Sequence, residues 1–475
     1  MSKYTQTANG AVALKSTGST LVDLFYNIGT ARKDTKTVSS IFDVACLQDI
    51  DTAAAILLWS RDIRHGGAGE RNVFRVLFKE LIESDEDVAR KVLNLIPTIG
   101  RYDDLSVAYG TALEKDAVTL WGNALRNNDA IAFKWADRGD KVLRKAMGFQ
   151  NEAEFRKFIS KGRKNTIVEE KMCAQNWSMI EFGKLPSVAG IRYAKAFKKN
   201  DESRYTSFIT NKDTKVNSAV NYPHDVFRAY KYGGQADAAS KYWDNLAQLN
   251  IEGNILVIPD VSGSMCCEAS GKIQCIDIAV SLGAYLSQQI KGHFHNKLIT
   301  FSETPTLVTL PKSKDIKDIF SFIERMEWGG STNFQAAYEA ILHDAVKNKV
   351  SKEYMPSHIL VLSDMQFNPI YENGYGNGGG SLWNSRQSSS TKKKVVHASM
   401  KDEFAKYGYD LPKIVYWNLS AGSYKNFPVM KNEGNVATVS GFSPQVLKAI
   451  LAASEFTPES CMEEAIKPFK EMLSK

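Results

Sequence analysis

Asn254-Ile-Leu-Val-Ile-Pro-Asp260-Val-Ser262-Gly-Ser264-Met265 decides how the second half of this chain folds. An uninterrupted apolar run of strand length reads as a strand buried on both faces, and it stops at a carboxylate followed by two hydroxyls at alternate positions. On the loop after such a strand, Asp260, Ser262 and Ser264 can turn three oxygens toward one point at the carboxyl end of a parallel sheet, where α/β proteins place ligands. Hard oxygens suit Mg²⁺ first, with Mn²⁺ or Ca²⁺ as alternatives. Two later stretches can complete the set. Gly329-Gly-Ser-Thr332-Asn333 opens a helix and offers Thr332, and His358-Ile-Leu-Val-Leu-Ser-Asp364 is a second buried strand ending in a carboxylate.

The pattern around these strands alternates: strand 255–259, helix 273–290, strand 297–302, helices 315–326 and 333–347, strand 358–363, helix 400–407, strand 413–419, a short strand near 436–439 and helix 444–453. Strands alternating with helices predict a doubly wound parallel sheet covered on both faces. The first half reads differently. Residues 21–28, 38–45, 52–63, 71–82 and 88–96 carry apolar residues at helical spacing, separated by Gly, Asp or Pro. Such short helices must stack on one another, which predicts an α-helical repeat, a ring or solenoid of the HEAT kind, with a helical bundle as the alternative. Two domains are therefore expected, 1–245 and 246–475. Residues 371–394, rich in Gly, Ser and Asn, stand outside the pattern as a loop on the metal face, and 459–475 reads as an amphipathic helix that Pro468 should kink or divide.

Composition, with 43% hydrophobic and 24% charged residues, is that of a soluble globular protein. No apolar run approaches the roughly 20 residues of a membrane span and no signal-peptide core opens the chain, so a cytoplasmic, monomeric protein is expected. The six cysteines show no C-x-x-C pairing, which fits a reducing compartment and not zinc. The net charge of +7 is unevenly placed: residues 1–245 hold 37 Lys and Arg against 30 Asp and Glu, and the remainder is balanced at 23 against 23. Any polyanion-binding work thus falls to the helical half.

With its Thr and Asp in order, the D-x-S-G-S stretch resembles the metal-ion-dependent adhesion site of von Willebrand factor A domains. Upstream, Arg61-Asp-Ile-Arg64-His-Gly-Gly-Ala-Gly-Glu70-Arg71, Ile96-Pro-Thr-Ile-Gly-Arg101-Tyr-Asp-Asp-Leu105, Lys184-Leu-Pro-Ser-Val-Ala and Tyr193-Ala-Lys-Ala-Phe-Lys resemble the signatures of the TROVE module, the RNA-binding helical region of the Ro autoantigen. Ser363-Asp-Met-Gln-Phe367, Ile414-Val-Tyr-Trp-Asn-Leu419 and Val439-Ser-Gly-Phe-Ser443 are similar to the branch found in plants, protists and large viruses, which joins that region to a von Willebrand A domain. The resemblance covers most of residues 20–455. It implies a non-enzymatic ribonucleoprotein scaffold whose helical half binds RNA.

Arg61, Arg64, His65 and Arg71 surround a Gly-rich turn between two helices, where open backbone and a helix N-terminus would favour a phosphate. Because Asp62 and Glu70 are close by, a salt-bridge corner fixing the helix pair is the equal alternative. Arg138, Lys141, Lys161, Arg163, Lys164, Arg192, Lys195 and Lys198 add a basic stretch interleaved with Phe155, Phe158, Tyr193 and Phe197, the mixture that holds single-stranded RNA. The expected partners are a small structured or misfolded RNA with a single-stranded end and a protein offering a carboxylate to the metal. The rival reading is a metal-dependent protein-interaction or assembly factor, viral or otherwise, without RNA binding; a metal-dependent nuclease ranks third. No P-loop or nucleophile elbow is present.

Overall fold

A computed structural model describes residues 4–7, 12–163, 167–218, 221–249, 254–290, 293–299, 305–313, 315–325, 334–366, 396–422, 427–453 and 455–475. Its centre is a six-stranded sheet of β1 (Ile255–Pro259), β2 (Lys297–Ile299), β3 (Leu307–Thr309), β4 (His358–Ser363), β5 (Lys413–Asn418) and β6 (Val436–Ser440), in the order β6-β5-β4-β1-β2-β3. Neighbours are parallel except β3, which runs antiparallel to β2. The sheet is therefore mixed and not wholly parallel: β3, three residues at one edge, was absent from the sequence reading.

Strand periodicity sorts the core into two layers. Leu256, Ile258, Ile359, Val361, Ile414 and Tyr416 face a cluster with Tyr338 and Ile341 of the helix Phe334–Lys347. The alternate residues Val257, Leu360, Val415, Trp417 and Val439 belong to a larger cluster that continues from Leu21 to Leu473. The two halves of the chain thus share one hydrophobic core.

The helical half opens with α1 (Thr20–Asn27), α2 (Thr35–Gln48), α3 (Ile50–Arg61), α4 (Arg71–Ser84) and α5 (Glu86–Ile99), close to the predicted bounds. Asp34, Asp49 and Asp85 cap α2, α3 and α5, their carboxylates accepting first-turn amides. Consecutive helices pack on one another, as the spacing predicts. Helix α3 departs from it. Thr52 to Arg61 are all buried, because the C-terminal helix Pro458–Leu473 lies against α3 and covers the side its neighbours leave open. Pro468 does not divide that helix; the lost amide would have met the carbonyl of Glu464, which sits on a partly exposed face open to water.

Direct polar contacts join α1 to the sheet. The Ser440 hydroxyl at the end of β6 accepts from the Gly29 amide at 2.8 Å, and Asn418 Nδ2 at the end of β5 donates to Tyr26 Oη at 3.4 Å. Arg32, ion-paired with Glu70, lays its guanidinium 3.5 Å from the centre of the Phe442 ring. The approach at Gly29 leaves no room for a side chain: a Cβ there would strike the Gly441 amide and lie 2.6 Å from Ser440 Oγ. Gly29→Ala is expected to cost about 1–3 kcal/mol of stability by overpacking. At Gly434 a Cβ meets nothing within 4 Å, so Gly434→Ala should leave the urea midpoint nearly unchanged.

Candidate metal-ion and nucleic-acid sites

The chain passes from β1 to one side of the sheet and, with β4, to the other, so the connections diverge above the carboxyl ends of these two strands. Asp260 follows β1 and Asp364 follows β4. Hydrogen bonds fasten the loops: the Asp260 amide donates to Leu362 O at 2.8 Å, and the Asp260 carboxylate accepts from the Ser262 amide at 2.9 Å and from Ser363 Oγ at 2.6 Å. The Ser262 and Ser264 hydroxyls lie 3.0 Å apart, and the Asp364 carboxylate accepts from the Gln366 amide at 3.1 Å and from Ser264. Met365 takes the left-handed conformation, with φ at 64°, unusual for a residue with a side chain. That turn lets its amide donate to Ser363 Oγ at 3.0 Å.

Burial, and then the neighbouring Asp364, pushes the Asp260 carboxyl up to about 6; burial also raises Asp364. Two carboxylates that repel each other in a buried crevice, with two hydroxyls beside them, form a donor set that a hard divalent cation would balance. Thr332 and residues 371–394 lie outside the described residues. Among the described residues no three His, Cys, Asp or Glu side chains gather as a metal-holding group, and none is needed where hydroxyls supply donors. Ser363 was not among the proposed ligands, yet its hydroxyl links the two loops; its place at the last position of a buried strand was the available signal.

The Gly-rich turn between α3 and α4 resolves as the salt-bridge corner. Asp62, fully buried, accepts from the amides of Arg64 at 3.0 Å, His65 at 2.6 Å and Gly67 at 3.2 Å, and from His65 Nδ1 at 2.8 Å. Three backbone donors of the turn are thus satisfied by this carboxylate. Arg61, its side chain 4% exposed, is committed to Asp104 through Nε at 2.7 Å. Arg71 pairs with Asp103 and Asp104, which Arg75 also holds, while Glu70 takes Arg32. For Arg61 and Arg71 the phosphate reading is therefore corrected to a structural one.

Next to this corner lies a cavity of roughly 720 Å³ that gathers cations from distant segments. Arg61, Arg64, Arg71, Arg101, Lys134, Arg163 and Arg192 line it, with Glu169 and Glu170 as the opposing carboxylates. Arg64 is exposed and donates to Thr98 O at 2.6 Å; Arg163 donates to the carbonyls of Phe133 at 2.8 Å and Ala136 at 2.5 Å. Arg101, like Arg64, Lys134 and Arg192, is in no ion pair among the described residues, and its guanidinium lies 4.2 Å from the Trp135 ring centre. Burial, then Arg61 and Arg71, lowers its affinity for its own proton, against the opposing charges of Asp103 and Asp104. Arg101, Lys134 and Trp135 were not among the sequence candidates, since each stands alone in its local pattern.

The other candidates scatter. Arg138 pairs with Glu170 at 2.5 Å; Lys141, Lys161, Lys195 and Lys198 are exposed on other helices; Lys164 lies outside the described residues. Phe155 and Phe197 are fully buried, so they offer no face to a base. Tyr193 lines the cavity, its hydroxyl donating to Glu169 at 3.0 Å.

The chain matches two family models, both described as domains of unknown function, DUF2828 over residues 143–253 and DUF7788 over residues 254–472. It is 26% identical to uncharacterized protein L728 of Acanthamoeba polyphaga mimivirus over 532 aligned residues, covering 99% of this chain and 88% of that protein. Among solved structures it is similar to the RO (RSR) protein of Deinococcus radiodurans, with 13% identity, a TM-score of 0.38 and coverage of 94% of this chain and 93% of that one. It is also similar to proximal thread matrix protein 1 of the mussel byssus, with 13% identity, a TM-score of 0.25 and coverage of 46% and 48%. Among the described residues no helix is long and apolar enough to cross a membrane.

Proposed function

We propose that this protein is a non-enzymatic scaffold whose helical half, read as a HEAT-like ring or solenoid, holds RNA, and whose α/β half, read as a von Willebrand A domain, holds a divalent ion and through it a protein partner. The observation that carries the RNA reading is the convergence on one cavity of Arg64, Arg101, Lys134, Arg163 and Arg192, each from a separate stretch, beside the half-buried rings of Trp135 and Tyr193. Cations hold phosphates and aromatic edges accept unpaired bases, so the cavity suits a single-stranded segment of a structured or misfolded RNA better than a duplex. A titration at one ionic strength, comparing a hairpin carrying a single-stranded tail with the same hairpin blunt-ended, tests it. Equal affinity for the two would remove the cavity from the reading.

For the ion, Asp260, Ser262, Ser264, Thr332 and Asp364 are the proposed ligands, Mg²⁺ the expected occupant and Mn²⁺ or Ca²⁺ the alternatives. Such an ion would supply a positive charge with a coordination position open to a partner's carboxylate. Asp260→Asn keeps the acceptor for the Ser262 amide while removing the charge. Wild-type protein should melt higher as Mg²⁺ is added, by the mass-action term for a ligand that binds only the folded state, and the variant should not respond. A Mg²⁺ response that survives in Asp260→Asn would refute the ligand set. If tailed RNA fails to bind while Mg²⁺ does, the rival reading of a metal-dependent assembly factor takes over.

A further inference from the structure

We propose that Cys267 and Cys275 form a site of oxidative modification, a dithiol that closes to a disulfide at the exit of the Asp260 loop. The inference is independent of whether that loop holds a metal. Two short strands, Glu268–Ser270 and Ile273–Gln274, pair antiparallel with Glu268 opposite Gln274, and Gly271 makes the turn with φ at 57°. One step outward, the Cys275 amide donates to Cys267 O at 3.0 Å, which makes the two cysteines cross-strand neighbours. Opposed residues of an antiparallel pair sit at about the Cα separation that disulfides span. The sulfurs are 3.4 Å apart, so closing to a bond of about 2.0 Å asks for side-chain rotation and little of the backbone.

The two thiols are unlike in a useful way. Cys267 is exposed, whereas Cys275 is buried at the start of the helix Cys275–Gln289, its sulfur 3.4 Å from Leu419 O. A hydrogen bond from Cys275 favours the thiolate at Cys267, against burial and the charge of Asp364 and with help from Lys33. The accessible sulfur is thus the nucleophile and the buried one the resolving group. With hydrogen peroxide as oxidant, the Cys267 thiolate attacks one oxygen and breaks the O–O bond, leaving a sulfenic acid and a hydroxide that takes up the proton the thiol had released and becomes water. The Cys275 sulfur then gives up its proton and displaces hydroxide from that sulfenic sulfur. Two thiols and one peroxide yield one disulfide and two waters. The product ties the end of the 260–267 loop to the first turn of the helix behind it. Cys266, next door, is free and exposed.

The test uses the full-length reduced protein, exposed to a stoichiometric amount of hydrogen peroxide, alkylated, digested without reductant and mapped by mass spectrometry. The expected product is one peptide pair joining Cys267 to Cys275 and reopened by dithiothreitol, with Cys46, Cys173, Cys266 and Cys461 still alkylated. Cys267 should lose its thiol about tenfold faster than the exposed Cys173. In Cys267→Ser, which alters an exposed side chain, Cys275 should stay reduced. A dominant Cys266–Cys275 or Cys266–Cys267 linkage, or Cys267 oxidised with Cys275 still alkylated, would overturn the proposal without touching the metal or RNA readings.

Discussion

Asp104→Ala is expected to cost about 3–5 kcal/mol of stability. The carboxylate is fully buried and serves three arginines: Arg61 Nε and Arg75 Nε at 2.7 Å, Arg71 Nε at 3.4 Å, with the Arg101 amide at 3.1 Å besides. Removing it leaves the Arg61 guanidinium in the interior with no counter-charge, the costliest outcome for a buried pair. Burial opposes ionisation of Asp104, but Arg61 and Arg75 outweigh it and hold the carboxyl below its ordinary value. A depressed carboxyl contributes fully above its unfolded pKa of about 3.9, and the contribution fades as pH falls through the lower folded value. The cost should therefore be complete at neutral pH and shrink only in strong acid. Denaturant unfolding at pH 7 measures it; a loss under about 1 kcal/mol would mean that the corner is not held by this carboxylate. Asp103→Ala, at a carboxylate 22% exposed that Arg71 and Arg75 share with Asp104, should cost much less.

What the sequence disclosed and what it concealed follow from the range of the forces involved. β1 and β4 were legible to the residue because a strand buried on both faces is a continuous apolar run, and the polar residue that ends it is also the site. β3 escaped because three half-exposed edge residues bury too little to leave a pattern. The ion-pair corner was half visible. Asp62 and Glu70 could be seen near the arginines, but Asp103 and Asp104 lie some thirty residues further on and decide which arginines are spent. Phe155 and Ile159, four apart on one helix, belong to the core, which is what that spacing most simply means. The cavity was legible only in part: Arg61, Arg64, Arg71, Arg163 and Arg192 were candidates, but their convergence was not visible. Arg101, Lys134 and Trp135 acquire meaning only when packing brings their helices together. Covering α3 with a helix from the far end of the chain is a long-range event of the same kind.

This geometry redirects the choice of mutations that would test RNA binding. Reversing Arg71 would break its pairs with Asp103 and Asp104 and confound binding with folding. Arg101 and Arg192 are the better pair, since both line the cavity and neither has an ion-pair partner among the described residues. Arg101 rests on Trp135 and is half-buried, so a phosphate entering there would give a partly desolvated cation a direct counter-charge. The double variant Arg101→Glu with Arg192→Glu is expected to weaken binding of the tailed hairpin about 10- to 100-fold at fixed salt, or about 1.4–2.8 kcal/mol. If each cation meets one single-strand phosphate, the log–log dependence of affinity on salt should also become shallower by about 1.4. Sequence preference should not change, because phosphate contacts position the strand without reading it. Mg²⁺ titration of the same variant serves as the folding control: Asp260 and Asp364 lie on the sheet's carboxyl edge, on loops that do not line this cavity, so the metal response should persist. An intact metal response with undiminished RNA affinity would show that the cations of this cavity are structural, and the RNA reading would then lose the observation that carries it.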